Sequence, residues 1–509
     1  MAWRIAEQLK PLIIAVGAAW GAPVSLAPAQ SRAAPPPRAR PVVYSDSGRI
    51  AIAHVTVIDV AKGRRLPDRT VIVVGNHITR IGPSTSTPAP SGAQVVDGRG
   101  AFLIPGLWDM HVHATDRARW DYPLFLANGV TGVRDMGGNL DTVMDRVHRV
   151  RTGALLGPRL FVAGTIIDGL PPIPDEVFVA RTPAEGRHWV DSLAARGVDF
   201  IKAYEMLRPE VVKAIVDEAR RRGLSVVGHA PLSMDVGAVS DLGYHSLEHL
   251  RNVDVACSAV ADSVRSADAA RVTAAAHDTV PGGAVRLAIW DARRARVLDS
   301  FDASRCDALL ARFRRNGTWQ VPTFAVTLVR YRRADTTARL RALARYVGPR
   351  DSTEWLETSR RYWDSRSPAR TGELLRQDSL EHALFRRMIA RRVPILAGTD
   401  VFNPWVVPGF ALHDELATFV DDGMSPLDAL RSATLSPARF LHATDSLGTI
   451  AKGKVADLVL LEADPLVDIH NTTRIRSVVA NGRYFDRAAL DGLLADAARA
   501  DQDRPSKTR

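Results

Sequence analysis

Cysteine and long apolar runs are both scarce in this sequence of 509 residues, which contains two cysteines, Cys257 and Cys306. Neither cysteine lies directly after the N-terminal apolar run, so a lipid-acceptor site there is excluded. No later apolar stretch is long enough to cross a bilayer, which excludes a membrane-spanning bundle. The two cysteines lie in the same stretch of chain. An exported protein can oxidise such a pair to a disulfide, and two buried thiols are the alternative.

Clusters of basic residues are also missing, although the formal net charge is +11. Arginine is scattered along the chain, with short groups such as EARRRG on a predicted helix face. Nucleic-acid-binding proteins usually concentrate their basic residues, so no nucleic-acid partner is expected. The excess arginine is interpreted as solvated surface. A hydrophobic fraction of 46% permits a large core.

The first 29 residues are predicted to be a secretory signal peptide. Arg4 and Lys10 precede a short apolar run that proline and glycine interrupt, and Ala27–Ala29 fits a small-x-small cleavage site. The mature chain is therefore expected in the periplasm or outside the cell, and an uncleaved anchor is the alternative. Residues 30–47 are interpreted as a Pro/Ala/Arg linker.

The body of the chain predicts an α/β protein built on a (β/α)8 TIM-like barrel. Between residues 105 and 444, eight short apolar runs alternate with amphipathic helical stretches, from LWDMHVH to VPILAGTD. Two long connections, 251–318 and 325–390, are mostly helical in pattern. They are expected to be insertions that shape the substrate pocket.

A smaller β domain is expected from the two chain ends. Residues 48–104 and 445–488 show β-branched residues with period-two alternation between glycine, asparagine and proline turns. Neither segment has enough strands for a core of its own, so together they are predicted to form a composite β-sandwich. A C-terminal helix and a polar tail are expected over 489–509.

Polar side chains lie at or near the ends of the predicted barrel strands, where barrel enzymes build their sites. His111 and His113 are two residues apart, and on a strand this spacing points both imidazoles to one face. Imidazole and carboxylate groups are ligands that suit zinc or another borderline divalent ion. Further polar residues end later apolar runs in the same way: Lys202, His229, His249 and Asp400.

The four histidines and Asp400 exceed the needs of one tetrahedral catalytic site, which predicts two metal ions, with zinc as the expected metal. Two cations close together need a bridging anion. Lys202 provides one if carbon dioxide converts its amine to a carbamate. The alternative is a snorkelling Lys202, or a salt bridge between Lys202 and Glu205.

Several motifs resemble those of the metal-dependent amidohydrolase superfamily, in its imidazolonepropionase-related and prolidase-like branch. They are PGLWDMHVH, DFIKAY, GHAP, SLEHL, AGTD and GTIAKGKVADLVLLEADPLVDI, and they follow in order through nearly the whole mature chain. The resemblance implies a barrel with a composite β-sandwich. It also implies a two-metal site, in which the more buried ion is held by His111, His113 and Asp400, the other by His229 and His249, and both by a carboxylated Lys202.

The sequence departs from the dipeptidase members of this branch in two places. Pro231 stands where they often have a tyrosine, and no histidine follows the third strand, so a simple Xaa-Pro or Xaa-Arg dipeptidase is in doubt. Tyr204 is expected to contact substrate, with a packed tyrosine as the alternative. Asp109 is expected to support the ligands and not to bind metal. The other histidines, His382 among them, are interpreted as surface or packing residues.

The predicted function is hydrolysis of an amide-type carbon–nitrogen bond in an N-acyl amino acid, a dipeptide or a related small amide. Metal-activated hydroxide attacks the carbonyl, and Asp400 moves its proton to the leaving amine. The alternatives are a lactone, ester or cyclic-amide hydrolase on the same site, and a catalytically silent relative that only binds. The sequence does not identify the substrate, because the insertions expected to form the pocket walls carry no pattern that predicts specificity. It also leaves the oligomeric state open, and a homo-oligomer is one possibility.

Overall fold

The computed structural model describes residues 48–114, 117–173, 176–276, 280–331 and 338–500. The predicted signal peptide, the linker and the polar tail from residue 501 onward lie outside these ranges. The strands are β1 (Arg49–Asp59), β2 (Arg64–Val74), β3 (His77–Pro83), β4 (Gln94–Asp97), β5 (Phe102–Pro105), β6 (Leu107–Val112), β7 (Val130–Asp135), β8 (Arg159–Val162), β9 (Ile166–Asp168), β10 (Val177–Val179), β11 (Ile201–Ala203), β12 (Val226–Gly228), β13 (Tyr244–Glu248), β14 (Trp319–Val321), β15 (Leu458–Leu461), β16 (Ile475–Ala480) and β17 (Arg483–Phe485).

Helices occupy most of the connections between the strands after β6. They are α1 (Ala118–Ala127), α2 (Leu140–Arg151), α3 (Pro183–Arg196), α4 (Pro209–Arg221), α5 (Val236–Leu242), α6 (Val253–Ala256), α7 (Ala261–Ala275), α8 (Gly282–Leu298), α9 (Ala303–Asn316), α10 (Phe324–Tyr331), α11 (Ala338–Leu343), α12 (Pro349–Asp364), α13 (Pro368–Ala390), α14 (Phe410–Asp421), α15 (Pro426–Ser432), α16 (Leu435–Phe440) and α17 (Arg487–Ala500). No helix in the described ranges is long and apolar enough to cross a membrane.

One mixed sheet combines strands from both chain ends. Its order is β17-β16-β15-β5-β1-β2-β3, with β4 also paired to β1. The two ends meet where β5 pairs antiparallel with β15, so that Leu103 lies opposite Leu460. These two side chains are buried in one apolar cluster with Ile52 and Val71 of β1 and β2. Period-two alternation thus places one face of this sheet in a core. The two-layered sandwich and the domain bounds stay predictions.

Parallel strands carry the rest of the fold, which confirms the predicted α/β class. They form one sheet in the order β6-β7-β8 and another in the order β10-β9-β11-β12-β13-β14. The Asp199 amide donates to the Val162 carbonyl, which connects β8 to the chain entering β11. On the other side, Gln320 of β14 bridges to Ile395. The strands therefore follow one another in the order that a barrel requires.

The prediction of a regular eighth barrel strand over VPILAGTD is wrong. This stretch makes only isolated parallel bridges, between Ile395 and Gln320 and, just beyond it, between Val401 and Val112. The amides of Thr399 and Asp400 both donate to one carbonyl, that of His111. Two successive amides that share one acceptor cannot continue a ladder, so the chain turns away from strand geometry at this point.

Both predicted insertions are helical. The first contains α6 to α9 and the second contains α10 to α13. In the first insertion, buried Arg293 of α8 donates to Asp268 of α7 and to Asn252, which fastens these helices together. In the second, Ser367 accepts from the Arg370 amide and so caps the start of α13.

Candidate metal centre

The C-terminal end of β6 presents two histidines to one carboxylate. His111 is completely buried, whereas the His113 side chain is 31% exposed. The Nε2 atom of His111 lies 3.3 Å from Oδ1 of Asp400, and that of His113 lies 3.8 Å from the same oxygen. The spacing of two residues therefore brings both imidazoles to Asp400.

Two further histidines complete a cluster of rings. His229 directly follows β12, and His249 directly follows β13. The centroid of the His249 ring lies 4.5 Å from that of His111 and 4.8 Å from that of His229. Ligand atoms of His111, His249 and Asp400 all lie within 4.8 Å of one another. These three side chains are close enough to share one metal ion.

Asp400 reaches the cluster through an unusual backbone. Its φ is 61°, a left-handed conformation that aspartate tolerates better than most residues. Two residues earlier, a Cβ on Gly398 would lie 2.9 Å from Cβ of His111 and 2.7 Å from Cγ1 of Val321, so only glycine fits. Burial alone would raise the pKa of Asp400, but the neighbouring histidines His249 and His111 hold that pKa well below its usual range. The carboxylate is therefore ionised.

Lys202 lies in the middle of β11 and is completely buried. Its Nζ atom has no hydrogen-bond partner in the described structure. Burial lowers the pKa of Lys202 to about 8. The alternative of a salt bridge to Glu205 is not what the structure shows, because a Glu205 oxygen lies 2.5 Å from Nδ1 of His229 instead.

A buried ion pair fixes the ring of His111. Its Nδ1 atom lies 2.8 Å from Oε2 of Glu248, and Arg134 donates to both oxygens of that carboxylate at 2.9 and 3.0 Å. Burial alone would raise the pKa of Glu248, but the Arg134 charge and the His111 contact lower it to about 2. Glu248 therefore stays ionised and leaves the Nε2 atom of His111 free to bind another group.

The other three rings are held at Nδ1 as well. His113 contacts the carbonyl of Gly137 at 2.9 Å, and His249 contacts the hydroxyl of Thr323 at 2.7 Å. Such supporting contacts orient metal-binding imidazoles in many proteins. Asp109 accepts from the amides of His111 and Thr399 and from the Thr399 hydroxyl, so it braces the backbone of the cluster.

The structure thus brings five of the residues that the sequence indicated together and places the sixth, Lys202, on β11 beside the strand that leads to His229. It adds four residues that the sequence analysis did not assign to the site. Glu248 was part of the SLEHL motif, and a charged residue inside an apolar strand was a usable signal. Arg134 gave the same signal in GVTGVRDM. Thr323 and the contact of Glu205 with His229 gave no signal, because their partners lie far away in the chain. The four added residues are Arg134, Glu205, Glu248 and Thr323.

Tyr204 borders the cluster. Its ring stacks on that of His229 with 4.2 Å between centroids. Burial raises the pKa of Tyr204, so the hydroxyl stays protonated at neutral pH. Tyr204 is therefore packed against a histidine of the cluster. Its contact with substrate stays a prediction.

The two cysteines are joined in the structure. Cys257 directly follows α6 and Cys306 lies in α9, and their sulfur atoms form a disulfide across 49 positions of the chain. Both residues are completely buried. The bond ties the start of the first insertion to its last helix.

The donor set fits divalent metal ions. The Nε2 atom of His229 and the Nζ atom of Lys202 are buried without hydrogen-bond partners among the described residues. A buried polar group without a partner costs about 1–3 kcal/mol, so these atoms indicate that a further group belongs beside them. Burial and the charge of Lys202 lower the pKa of His113 to about 4, so this imidazole is neutral and able to bind metal.

Comparisons with known proteins bear on the family. Residues 266–485 match the model of the amidohydrolase family named Amidohydro_3. An adenine deaminase of Rubrobacter xylanophilus is 23% identical over 448 residues, which cover 85% of this chain and 57% of the relative. The chain therefore spans little more than half the length of that curated relative.

Two solved structures share the fold along most of the chain. A bottromycin amidohydrolase has a TM-score of 0.66 at 24% identity, covering 89% of this chain and 90% of its own. An Xaa-Pro dipeptidase with methionine bound in its active site has a TM-score of 0.59 at 20% identity, covering 86% of this chain and 100% of its own. The family match, the shared fold and the strand-end motifs agree with the resemblance seen in the sequence. Residues 266–485 are thus similar to the amidohydrolase family, and the chain shares its fold with solved amidohydrolases and prolidase-like enzymes.

Proposed function

We propose that this chain is a binuclear metal-dependent amidohydrolase that cleaves an amide-type carbon–nitrogen bond in a small molecule. The observation that carries the proposal is the Nζ atom of Lys202, which is buried and has no hydrogen-bond partner among the described residues. The same part of the fold holds the cluster of four imidazoles. A lysine ammonium is costly in such a place, whereas a carbamate is an anion able to bridge two cations. Zinc is the metal proposed first, because three or more imidazoles suit it.

The proposed ligand roles are those that the sequence resemblance implies. His111, His113 and Asp400 would hold one ion, and His229 and His249 would hold the other. Lys202 would supply the anion between them once its amine nitrogen has bonded to the carbon of CO2 and lost a proton to water. When bound, the two ions supply a nucleophile from water at neutral pH and polarise the carbonyl of the substrate.

Asp400 is the proposed catalytic residue. Its carboxylate is ionised, lies within 3.3–3.9 Å of three imidazoles and is 11% exposed. It accepts the proton of the attacking water and passes it to the leaving amine nitrogen. Tyr204 is proposed to contact the substrate beside this group.

The substrate is proposed to be an N-acyl amino acid, a dipeptide or a related amide. The names of two structural relatives, an amidohydrolase and a dipeptidase, support amide cleavage. A simple Xaa-Pro dipeptidase is not favoured, because Pro231 replaces the tyrosine that often follows the fifth-strand histidine in those enzymes. The small β domain is proposed to fold as the composite sandwich of this superfamily.

Metal analysis and a substrate screen test the proposal. The protein is stripped with a chelator, reloaded with Zn²⁺, Mn²⁺ or Co²⁺, and analysed for bound metal. It is then assayed on N-acyl amino acids, dipeptides, lactones and aryl esters. We expect about two ions per chain and amide hydrolysis that disappears with the metal. Full activity with one ion per chain contradicts the binuclear site. Metal-dependent turnover of lactones or esters alone contradicts amide cleavage.

We also propose export through the N-terminal segment. The disulfide between Cys257 and Cys306 supports this proposal, because such bonds persist in oxidising compartments. N-terminal sequencing of the protein from its native host should find a mature chain that begins near Gln30. A chain that retains Trp3 indicates an anchor instead.

A further inference from the structure

The two insertions border a pocket rich in tryptophan and arginine. Its volume is about 480 Å³. Trp290 of α8 contributes from the first insertion, and Trp355 and Trp363 of α12 contribute from the second. Trp405, five residues after Asp400, also lines it and lies 5.9 Å from Trp355 between ring centroids. Flat aromatic walls of this kind favour a ligand with an aromatic ring.

The pocket lining contains more arginines than acids. Arg286, Arg294, Arg366 and Arg370 line it, and Asp291 is the single acid in that lining. Arg294 and Arg370 both donate to Asp291, Arg370 also donates to Glu373 at 2.9 Å, and Arg286 lies 3.7 Å from Glu205. The charge that an anionic ligand would balance is therefore that of the fourth arginine, Arg366.

Arg366 is the guanidinium best placed to receive such an anion. Its Cζ atom lies 2.9 Å from the ring centroid of Tyr362, and it donates to the carbonyl of the same residue. Within the described ranges, Arg366 forms no ion pair with a carboxylate. A guanidinium held against a ring is already oriented, so binding an anion costs it little further ordering.

Two contacts link this pocket to the metal centre. Asn403 lines the pocket and donates to the backbone carbonyl of Asp400 at 2.6 Å. Arg286 also lines it and lies 3.7 Å from Glu205, whose carboxylate contacts His229. A substrate whose amide lies at Asp400 therefore has this pocket as a neighbouring space for one of its ends.

We infer that the pocket binds an aromatic ring and a carboxylate on one side of the scissile amide, as in an N-acylated aromatic amino acid. The inference rests on the proposed function for its cleavage step. It requires no new chemistry, because the water that attacks the carbonyl adds across the amide bond and the aromatic amino acid leaves as the amine. The ring stacks on the tryptophans, and the carboxylate pairs with Arg366.

Binding without turnover tests the pocket separately from catalysis. The tryptophans of the pocket report through their own fluorescence when metal-loaded protein is titrated with 3-phenylpropionate. We expect 3-phenyl-1-propanol, which lacks the charge, to bind at least tenfold more weakly. We expect 3-cyclohexylpropionate, which lacks the aromatic ring, to bind several-fold more weakly. Equal binding of the acid and the alcohol overturns the inference.

Variants distinguish binding of 3-phenylpropionate in the pocket from binding of its carboxylate at the metal ions. Arg366→Gln should lower the affinity for 3-phenylpropionate about tenfold and leave the affinity for 3-phenyl-1-propanol unchanged. Arg294→Gln is the second variant, and thermal unfolding of each checks that the protein remains folded. Arg376→Gln is the matched control, since this arginine of the neighbouring α13 is 54% exposed and pairs with Asp299. Wild-type affinity in both Arg366→Gln and Arg294→Gln overturns the inference.

Hydrolysis assays separate failure of the inference from failure of the proposed function. N-acetylphenylalanine should exceed N-acetylalanine at least tenfold in kcat/KM, and Arg366→Gln should reduce that preference. If 3-phenylpropionate binds as expected and no amide is cleaved, the proposed function fails and the pocket stands. If N-acetylalanine is cleaved as well as N-acetylphenylalanine, the pocket inference fails and the proposed function stands.

Discussion

His111 and Glu248 are 137 positions apart in the chain, yet Nδ1 of one lies 2.8 Å from Oε2 of the other. Both side chains are completely buried. Arg134 donates to the same carboxylate and keeps it charged. This contact fixes the ring of His111 so that its Nε2 atom lies towards Asp400.

Replacing Glu248 should therefore damage both metal binding and stability. In Glu248→Gln we expect metal affinity to fall about 10- to 100-fold, because the ring of His111 loses its charged support. The free energy of unfolding should fall by roughly 3–5 kcal/mol, because Arg134 remains buried without a counterion. Metal titration against a competing chelator and urea unfolding measure the two effects.

Glu462→Gln is the control for this substitution. Its side chain is 50% exposed and lies 3.9 Å from Arg474, so we expect a change within about 0.5 kcal/mol. A Glu248→Gln protein with wild-type metal affinity and stability would show that the buried pair supports neither.

Substitutions of Lys202 distinguish a bridged two-metal site from a one-metal site. Lys202→Ala should lose most activity and at least one metal ion, and a short carboxylic acid should partly restore both by taking the bridging position. Lys202→Arg should fail, since a guanidinium remains charged and forms no such bridge. Metal content and rate are measured on the same samples.

The control for Lys202 is Lys213→Ala, because the Lys213 side chain is 66% exposed and pairs with Asp217 on the surface of α4. It should keep full activity. If Lys202→Arg instead retains wild-type activity and metal content, the bridge is wrong. A one-metal site on His111, His113, His229 and Asp400 is then the better description.

The disulfide should contribute substantially to stability. The loop it closes spans 49 positions, for which chain entropy predicts about 4 kcal/mol. Cys257→Ser with Cys306→Ser should lower the free energy of unfolding by about that amount in denaturant titrations. Thiol titration of denatured wild-type protein should find no free thiol before reduction and two after it. Two free thiols before reduction would contradict the bond.

His382 should make stability depend on pH. Burial would lower its pKa, but contacts with Asp378 and Asp422 raise it to about 9. Arg386 shares Asp422, and the ring of Phe324 stacks on the imidazole. Because the pKa is higher in the folded than in the unfolded protein, the contribution is complete below about pH 6.5 and is lost as the pH rises through about 9.

The test compares wild type with His382→Gln in urea at several pH values. We expect a difference of up to about 3 kcal/mol at pH 6 that shrinks towards pH 9.5. His470→Gln is the control, because that side chain is 67% exposed and its pair with Asp468 contributes little. A difference that does not change with pH would contradict the assignment. The sequence analysis interpreted His382 as a surface or packing residue. Asp378 lies four residues earlier on the same helix, so helical spacing could have indicated that pair, whereas Asp422 is 40 positions away.

Much of the site could be predicted from the sequence because parallel strands follow a simple rule. The i, i+2 spacing of His111 and His113 sets their common face, and His229 and His249 directly follow apolar runs whose ends meet at one edge. The same patterns indicated the α/β class and the helical insertions. These features depend on local periodicity, which each segment carries by itself.

The partners of those residues were decided only by the tertiary structure. Glu248 meets His111 and Arg134 because β6, β7 and β13 converge inside the fold, and no local pattern encodes that distance. The eighth strand failed for a similar reason, since Asp400 takes a left-handed turn to reach the histidines. The pocket of tryptophan and arginine likewise exists only where α8 and α12 approach each other. Helical periodicity in the sequence determined that these insertions are helices, whereas long-range packing decided which of their faces meet.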